Sequence, residues 1–217
     1  MLCTINADSC VGCVLRVSCF SHEHSSCNPG FPPGVFFGLV SSSGPYSRVS
    51  TALFNQITGP HHGQDLATGA VVFQQGDSAR GLYALQTGLV GLFGAPASGR
   101  EMLFALFRDG QFLGHRAYFS GEAYLSQARA LSPCRISFVP AQAVEQLLRT
   151  EPEFSRHMLG QLASMLGAFG SRLADAADRP APVRIAATLL YLKAFAPDHR
   201  WKRQEIADYS GSTAPTV

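Results

Sequence analysis

The sequence predicts an α+β chain: an antiparallel β-roll, then a long helix, then the opening of a helix-turn-helix. Three observations carry this. Short apolar runs punctuated by glycine fill residues 63–140. A long segment with apolar residues every three or four positions follows Pro152. Residues 203–217 carry the small-residue spacing of two helices that cross at a tight turn.

Residues 1–50 are rich in Cys, Gly, Pro and Ser around one short apolar patch, Val35 to Val40. They read as loops, with a single helix near Val49–Ile57. From Gly63 the runs AVVF, GLYALQTG, LVGLFG, EMLFALF, QFLG, LSQARAL and CRISFV have the length and spacing of strands in a closed roll. The glycines at 69, 76, 81, 88, 91, 94, 99 and 110 are expected at turns that need positive φ. AQAVEQLLRT then reads as a short helix, and Pro152 suits the first turn of a longer one running to about Asp178.

On that longer helix Phe154, Met158, Leu162, Met165, Phe169 and Leu173 form a narrow seam. Such a stripe packs either on its own roll or on a second copy, and its length between two domains favours the dimer interface. No acidic side chain falls between Glu153 and Asp175, so little charge repulsion opposes pairing. RPAP at 179–182 ends the helix. The expected divisions are therefore 1–50, 51–150, 151–178 and 179–217.

After 182, VRIAATLLYLKAF is an amphipathic helix, and a turn with Asp198 and Trp201 leads to RQEIADYSGSTAPTV. There Ile206 and Ala207 lie on a first helix, Gly211 permits the sharp turn, and Val217 locks the second helix onto the first. Thr213 is placed to cap that second helix, with Pro215 in its first turn. Arg203, Thr213, Pro215 and Thr216 are the residues expected at DNA, with Arg200 and Lys202 near phosphates. A recognition helix needs several more residues than follow Thr213, so these 217 residues are not expected to read an operator by themselves.

The net charge of +2 does not argue for nucleic acid unless one small domain carries the basic face. No run approaches the roughly 20 apolar residues of a membrane span, and the N-terminus lacks the pattern of a signal peptide. A cytoplasmic location follows as the expectation, which puts metal or redox chemistry ahead of disulfides for the six cysteines. Neither G-x4-G-K-[ST], H-E-x-x-H nor G-x-S-x-G occurs, so no enzyme is expected. His22, His24, His61 and His62 read as solvated loop residues, and His157 as a partly exposed helix residue.

The order of roll, long helix and helix-turn-helix resembles the CRP/FNR transcription regulators across residues 63–217, with GDSARGLYALQTGLVGL similar to that family's strand–turn–strand segment. The resemblance implies a cyclic-nucleotide-binding-like jelly roll, a dimerisation helix and a truncated winged helix-turn-helix. It also implies a homodimer, a DNA operator and RNA polymerase as partners. DGQFLGHRAYFSGE followed by LSQARAL stands where the nucleotide cassette belongs. Members that bind cyclic nucleotides have a Gly-Glu pair for the ribose and an Arg-Ser/Thr pair for the phosphate. Here Gly114 is followed by His115, and Leu125 precedes Ser126. Without that arginine the phosphate loses a charge-assisted contact of about 1.5–3 kcal/mol per hydrogen bond, so cyclic AMP is not the expected ligand.

Cys10, Cys13 and Cys19 form C-x2-C-x5-C, which resembles the iron–sulfur segment of FNR-type oxygen sensors. By that resemblance Cys134, in SPCRISFVP, supplies the fourth thiolate of a [4Fe–4S] cluster, and the chain is an oxygen- or redox-responsive regulator. Cys3 and Cys27 are further thiols able to replace a ligand, and zinc or direct thiol oxidation are the alternative chemistries. A dimerising module without DNA binding, and nitric oxide or haem as the signal, remain the other readings.

Overall fold

A computed structural model describes residues 49–61, 63–94 and 99–217. The N-terminal cysteines Cys3, Cys10, Cys13, Cys19 and Cys27, the Val35 to Val40 patch and His22, His24 and His62 lie outside these residues.

Helix α1 (Thr51–Thr58) opens the described chain, within a residue or two of its expected place. Its first turn is capped by Ser50 Oγ, which accepts from the Leu53 amide at 3.3 Å. Eight strands follow: β1 (Gln64–Leu66), β2 (Val71–Phe73), β3 (Gly81–Thr87), β4 (Leu89–Gly94), β5 (Met102–Arg108), β6 (Gln111–Leu113), β7 (Gln127–Ala130) and β8 (Cys134–Pro140). They pair antiparallel as two sheets of order β1-β8-β3-β6 and β2-β7-β4-β5. The α+β fold with an antiparallel roll is therefore as the sequence predicts.

The inner faces of the sheets meet in a core that includes Leu85, Val90, Phe107, Leu113, Ala128 and Ile136. The outer face of the first sheet is covered too. Leu82, Ala84, Phe112 and Val139 pack there against Leu53, Phe54 and Ile57 of α1 and Val144 of α3 (Ala141–Thr150). Strand β3 is thus covered on both sides, which is why GLYALQT is almost continuously apolar instead of alternating. Phe154 and Met158 of α4 (Pro152–Asp178) complete this second core at 0% and 2% exposure.

A third core joins the roll to the C-terminal helices, α5 (Ala181–Phe195) and α6 (Arg203–Ser210). Leu89, Phe93, Leu103, Leu106 and Leu131 meet Ile185, Leu192 and Ile206. Arg172 of α4 ties the pieces together. It donates to the carbonyls of Phe104 and Leu103 on β5 and of Tyr209 on α6, and lies 4.1 Å over the Tyr209 ring.

Gly69, Gly76, Gly88, Gly99 and Gly110 have the positive φ expected of them. Gly81, Gly91 and Gly94 do not, because they sit in strands. Space rather than turning selects glycine there. A β-carbon at Gly91 would meet the Phe93 ring and Leu103, and one at Gly94 the Phe104 ring.

Candidate functional site

The cassette between β6 and β7 is built around two left-handed glycines. Gly114 (φ +86°) turns the chain out of β6, and Gly121 (φ +72°) ends the six-residue helix α2 (His115–Ser120), which the apolar pattern does not announce. Arg116 closes the return path, pairing with Glu122 at 2.6 Å and donating to the Ala123 carbonyl at 2.8 Å. Tyr124 then stacks on Phe73 at 3.8 Å between ring centroids. Burial, with Tyr83 and Asp77 nearby, pushes its hydroxyl up to about 12.

His115 fills the position where a nucleotide-binding cassette carries its ribose-binding glutamate. It is 1% exposed, and its Nε2 lies 3.1 Å from Met165 Sδ on α4. Burial, reinforced by His157 and opposed by the Phe112 backbone, lowers its pKa to about 4, so the ring is neutral at physiological pH. One turn back on α4, Gln161 Nε2 donates to the Phe112 carbonyl at 2.7 Å. His157 is 2% exposed rather than partly exposed as its sequence context suggests, with its ring 5.8 Å from that of Phe112. The cassette and the long helix therefore meet through His157, Gln161 and Met165, an i, i+4, i+8 row that an apolar seam does not reveal, since two of its members are polar.

Beside this contact lies a cavity of about 320 Å³, whose walls include Phe73, Leu92, Phe104, Tyr124, Met165 and Phe169. Ser126 and His115 reach it as well, and Leu125, 62% exposed, stands at its rim. Phe104 enters it because β5 carries an extra residue: Phe93 pairs with Leu103 and Leu92 with Ala105, leaving Phe104 as a bulge.

The expected seam is divided. Phe154 and Met158 are spent on the roll's own core, and Met165 on His115. The physical reason is that the first turns of α4 lie directly against β6 and α2. Leu162 is half-buried, while Phe169 and Leu173 are 40% and 74% exposed. The solvent stripe is instead Leu159 (69%), Leu166 (74%) and Leu173, spaced by seven.

Cys134 is 5% exposed in the core between the sheets, and burial raises its thiol pKa. Of the four expected cluster ligands, Cys134 alone falls among the described residues. Among the described residues no group of three or more His, Cys, Asp or Glu is placed to hold a metal ion.

At the C-terminus Ala207 is fully buried and Gly211 has φ +67°, as the crossing of two helices requires. The Lys202 amide donates to Glu205 Oε2 at 2.9 Å, capping α6. Thr213, Pro215 and Thr216 are exposed around a short 3-10 turn (Ala214–Thr216), and Arg203 is exposed at the start of α6. No helix among the described residues is long and apolar enough to cross a membrane.

Residues 64–151 match the family described as the cyclic nucleotide-binding domain. The chain is 29% identical over 157 residues to the cAMP-activated global transcriptional regulator CRP of Pasteurella multocida, covering 68% of this chain and 75% of that one. It is 24% identical over 188 residues to the CRP-like cAMP-activated global transcriptional regulator of Mycobacterium tuberculosis, covering 82% and 84%. Among solved structures, the c-di-GMP responsive global regulator CLP of Xanthomonas campestris has a TM-score of 0.68 at 23% identity, over 76% of this chain and 87% of that one. A CRP/FNR-family transcriptional regulator of Thermus thermophilus has 0.60 at 24%, over 71% and 81%.

Proposed function

We propose that this chain is a CRP/FNR-type transcription regulator, a cytoplasmic homodimer whose α4 carries an oxygen or redox signal to operator DNA and RNA polymerase. The observation that carries the reading is the double use of α4. One side of the helix is fastened to the cassette through His115–Met165 and Gln161–Phe112, while Leu159, Leu166 and Leu173 face outward at heptad spacing. A change at the cassette therefore moves the same rigid element that a second copy pairs with. Arg172 extends that element to α6, the first helix of the helix-turn-helix.

The input is assigned to the N-terminal cysteines. Cys10, Cys13 and Cys19 have the spacing of cluster ligands, and a [4Fe–4S] cluster supplies an oxygen-labile redox centre. Cys134 supplies the fourth thiolate in this reading, with Cys3 and Cys27 as further thiols able to replace a ligand. Cyclic AMP is not the ligand in this reading, since His115 and Leu125 stand where glutamate and arginine are needed.

Anaerobic purification with iron and acid-labile sulfide counts tests the proposal. The expected result is about four of each per chain, lost on admitting air, and diminished in Cys134→Ala. An iron-free, colourless chain with its thiols intact would remove the oxygen-sensing assignment.

A further inference from the structure

A second cavity, of about 230 Å³, opens where β5 and the last turns of α4 meet α5 and the end of α6, and α2 contributes nothing to its walls. Two guanidiniums line it, Arg172 and Arg184. Arg172 donates to the Leu103, Phe104 and Tyr209 carbonyls. Arg184 donates to the Arg179 carbonyl at 2.7 Å and, through Nε, to that of Ser210 at 3.4 Å. Their shared hold on the consecutive carbonyls of Tyr209 and Ser210 brings two like charges to one end of α6. Carbonyls are dipoles and cancel no charge, and neither arginine meets a carboxylate among the described residues. Arg184 Nη2 has no partner among them either. Asp175 lines the same cavity but is taken by Arg179 at 2.9 Å.

We propose that this cavity binds a small monocarboxylate with a compact apolar body, its carboxylate between Arg172 and Arg184 and its body against Phe104, Leu173 and the Tyr209 ring. Guanidinium donors suit the two oxygens of a carboxylate, and an anion placed there relieves the repulsion between the two arginines. The apolar walls exclude a bare inorganic ion, and the Asp175 carboxylate among them repels a second negative charge. The cavity is smaller than the roughly 300–1,000 Å³ of drug-sized ligand sites, so its occupant is small. Such a ligand fastens the end of α6 to β5, α4 and α5 together. The inference does not rest on the cluster assignment, and iron content plays no part in its test.

Titration calorimetry on the full chain decides it, with benzoate as the probe, benzamide as its uncharged counterpart and sulfate as an anion without an apolar body. The expected result is saturable binding of benzoate at one per chain, with benzamide and sulfate each at least about tenfold weaker. Ala176 and Arg184 line this cavity and not the one beside α2, so substitutions there assign the site. Arg184→Gln should weaken benzoate by more than about tenfold. Ala176 is an exposed helix position, so the fold should tolerate both Ala176→Glu and Ala176→Gln. The first should weaken benzoate by about tenfold through its charge, and the second should leave it within about twofold. Absence of saturable benzoate binding would overturn the inference. So would benzamide or sulfate binding as tightly as benzoate, or benzoate binding that Ala176→Glu leaves unchanged.

Discussion

In its first ten residues α4 buries Phe154, His157, Met158 and Gln161 against the roll, whereas from Leu162 onward it buries no side chain completely. The two halves continue one helix and one apolar spacing. They differ in what lies beside them: β6, α1 and α2 for the first, and solvent, Arg172's attachments and the mouth of the cavity for the second. The comparison teaches that a periodic stripe specifies a face, not a partner. Intrachain packing uses the stripe where the roll is near, and association uses it where the roll falls away.

The sharpest way to break the comparison is to cut into the first half. Phe154→Ala removes a ring with 0% exposure that meets Phe112 edge-on, and should cost about 3–5 kcal/mol in urea denaturation. A loss within about 1 kcal/mol would mean that α4 is not anchored where the fold puts it.

The junction of the halves is sharpened by pH. His115 has a folded pKa of about 4 against an ordinary 6.5, so below 6.5 the unfolded chain takes up a proton that the folded chain refuses. Stability from this group is complete above pH 6.5 and falls as pH drops toward 4, by roughly 3 kcal/mol in all. Denaturation midpoints measured across that window should show the slope, and His115→Gln should flatten it. An unchanged slope in the variant would place the titrating group elsewhere.

The smallest effect on folding belongs to the second half. Leu166→Glu alters a side chain that is 74% exposed, and should leave the stability of the chain within about 0.5 kcal/mol. Sedimentation should nevertheless show dimer giving way to monomer. A variant that still sediments as a dimer would move the association surface off the heptad stripe.

Much of this architecture is legible in the sequence. Seven of the eight strands, α3 and the start of α4 at Pro152 lie where the apolar runs and turn residues predict them. Strand β1 escapes because Gln64 and Asp65 are polar and exposed on a short pairing with β8. Helix α2 escapes because six residues between two glycines leave too little period to read. The seam misleads because Met158 and Met165 are spaced by seven just as Leu159, Leu166 and Leu173 are, and periodicity cannot say which row meets the chain's own roll. The cassette's departures at His115 and Leu125 are plain from the residues. The cavity they help form is not, since it depends on the bulge at Phe104, and an extra residue in a strand leaves no mark on composition.

The attachment made by Arg172 has a consequence for how this protein keeps company. Strand β5 is the outermost of its sheet, and MLFALFR is an apolar sequence with low charge. Such an edge is a template on which another chain can add a strand and begin to aggregate. Arg172 occupies the carbonyls of Leu103 and Phe104 there, and α6 lies against the same strand. Trimming the chain after α4, a natural choice for producing the sensor alone, would strip α5 and α6 from Leu89, Phe93 and Leu103 and leave that edge guarded by one side chain. The preparation most prone to precipitate is therefore the shortest one, and its solubility should be judged before its ligand binding.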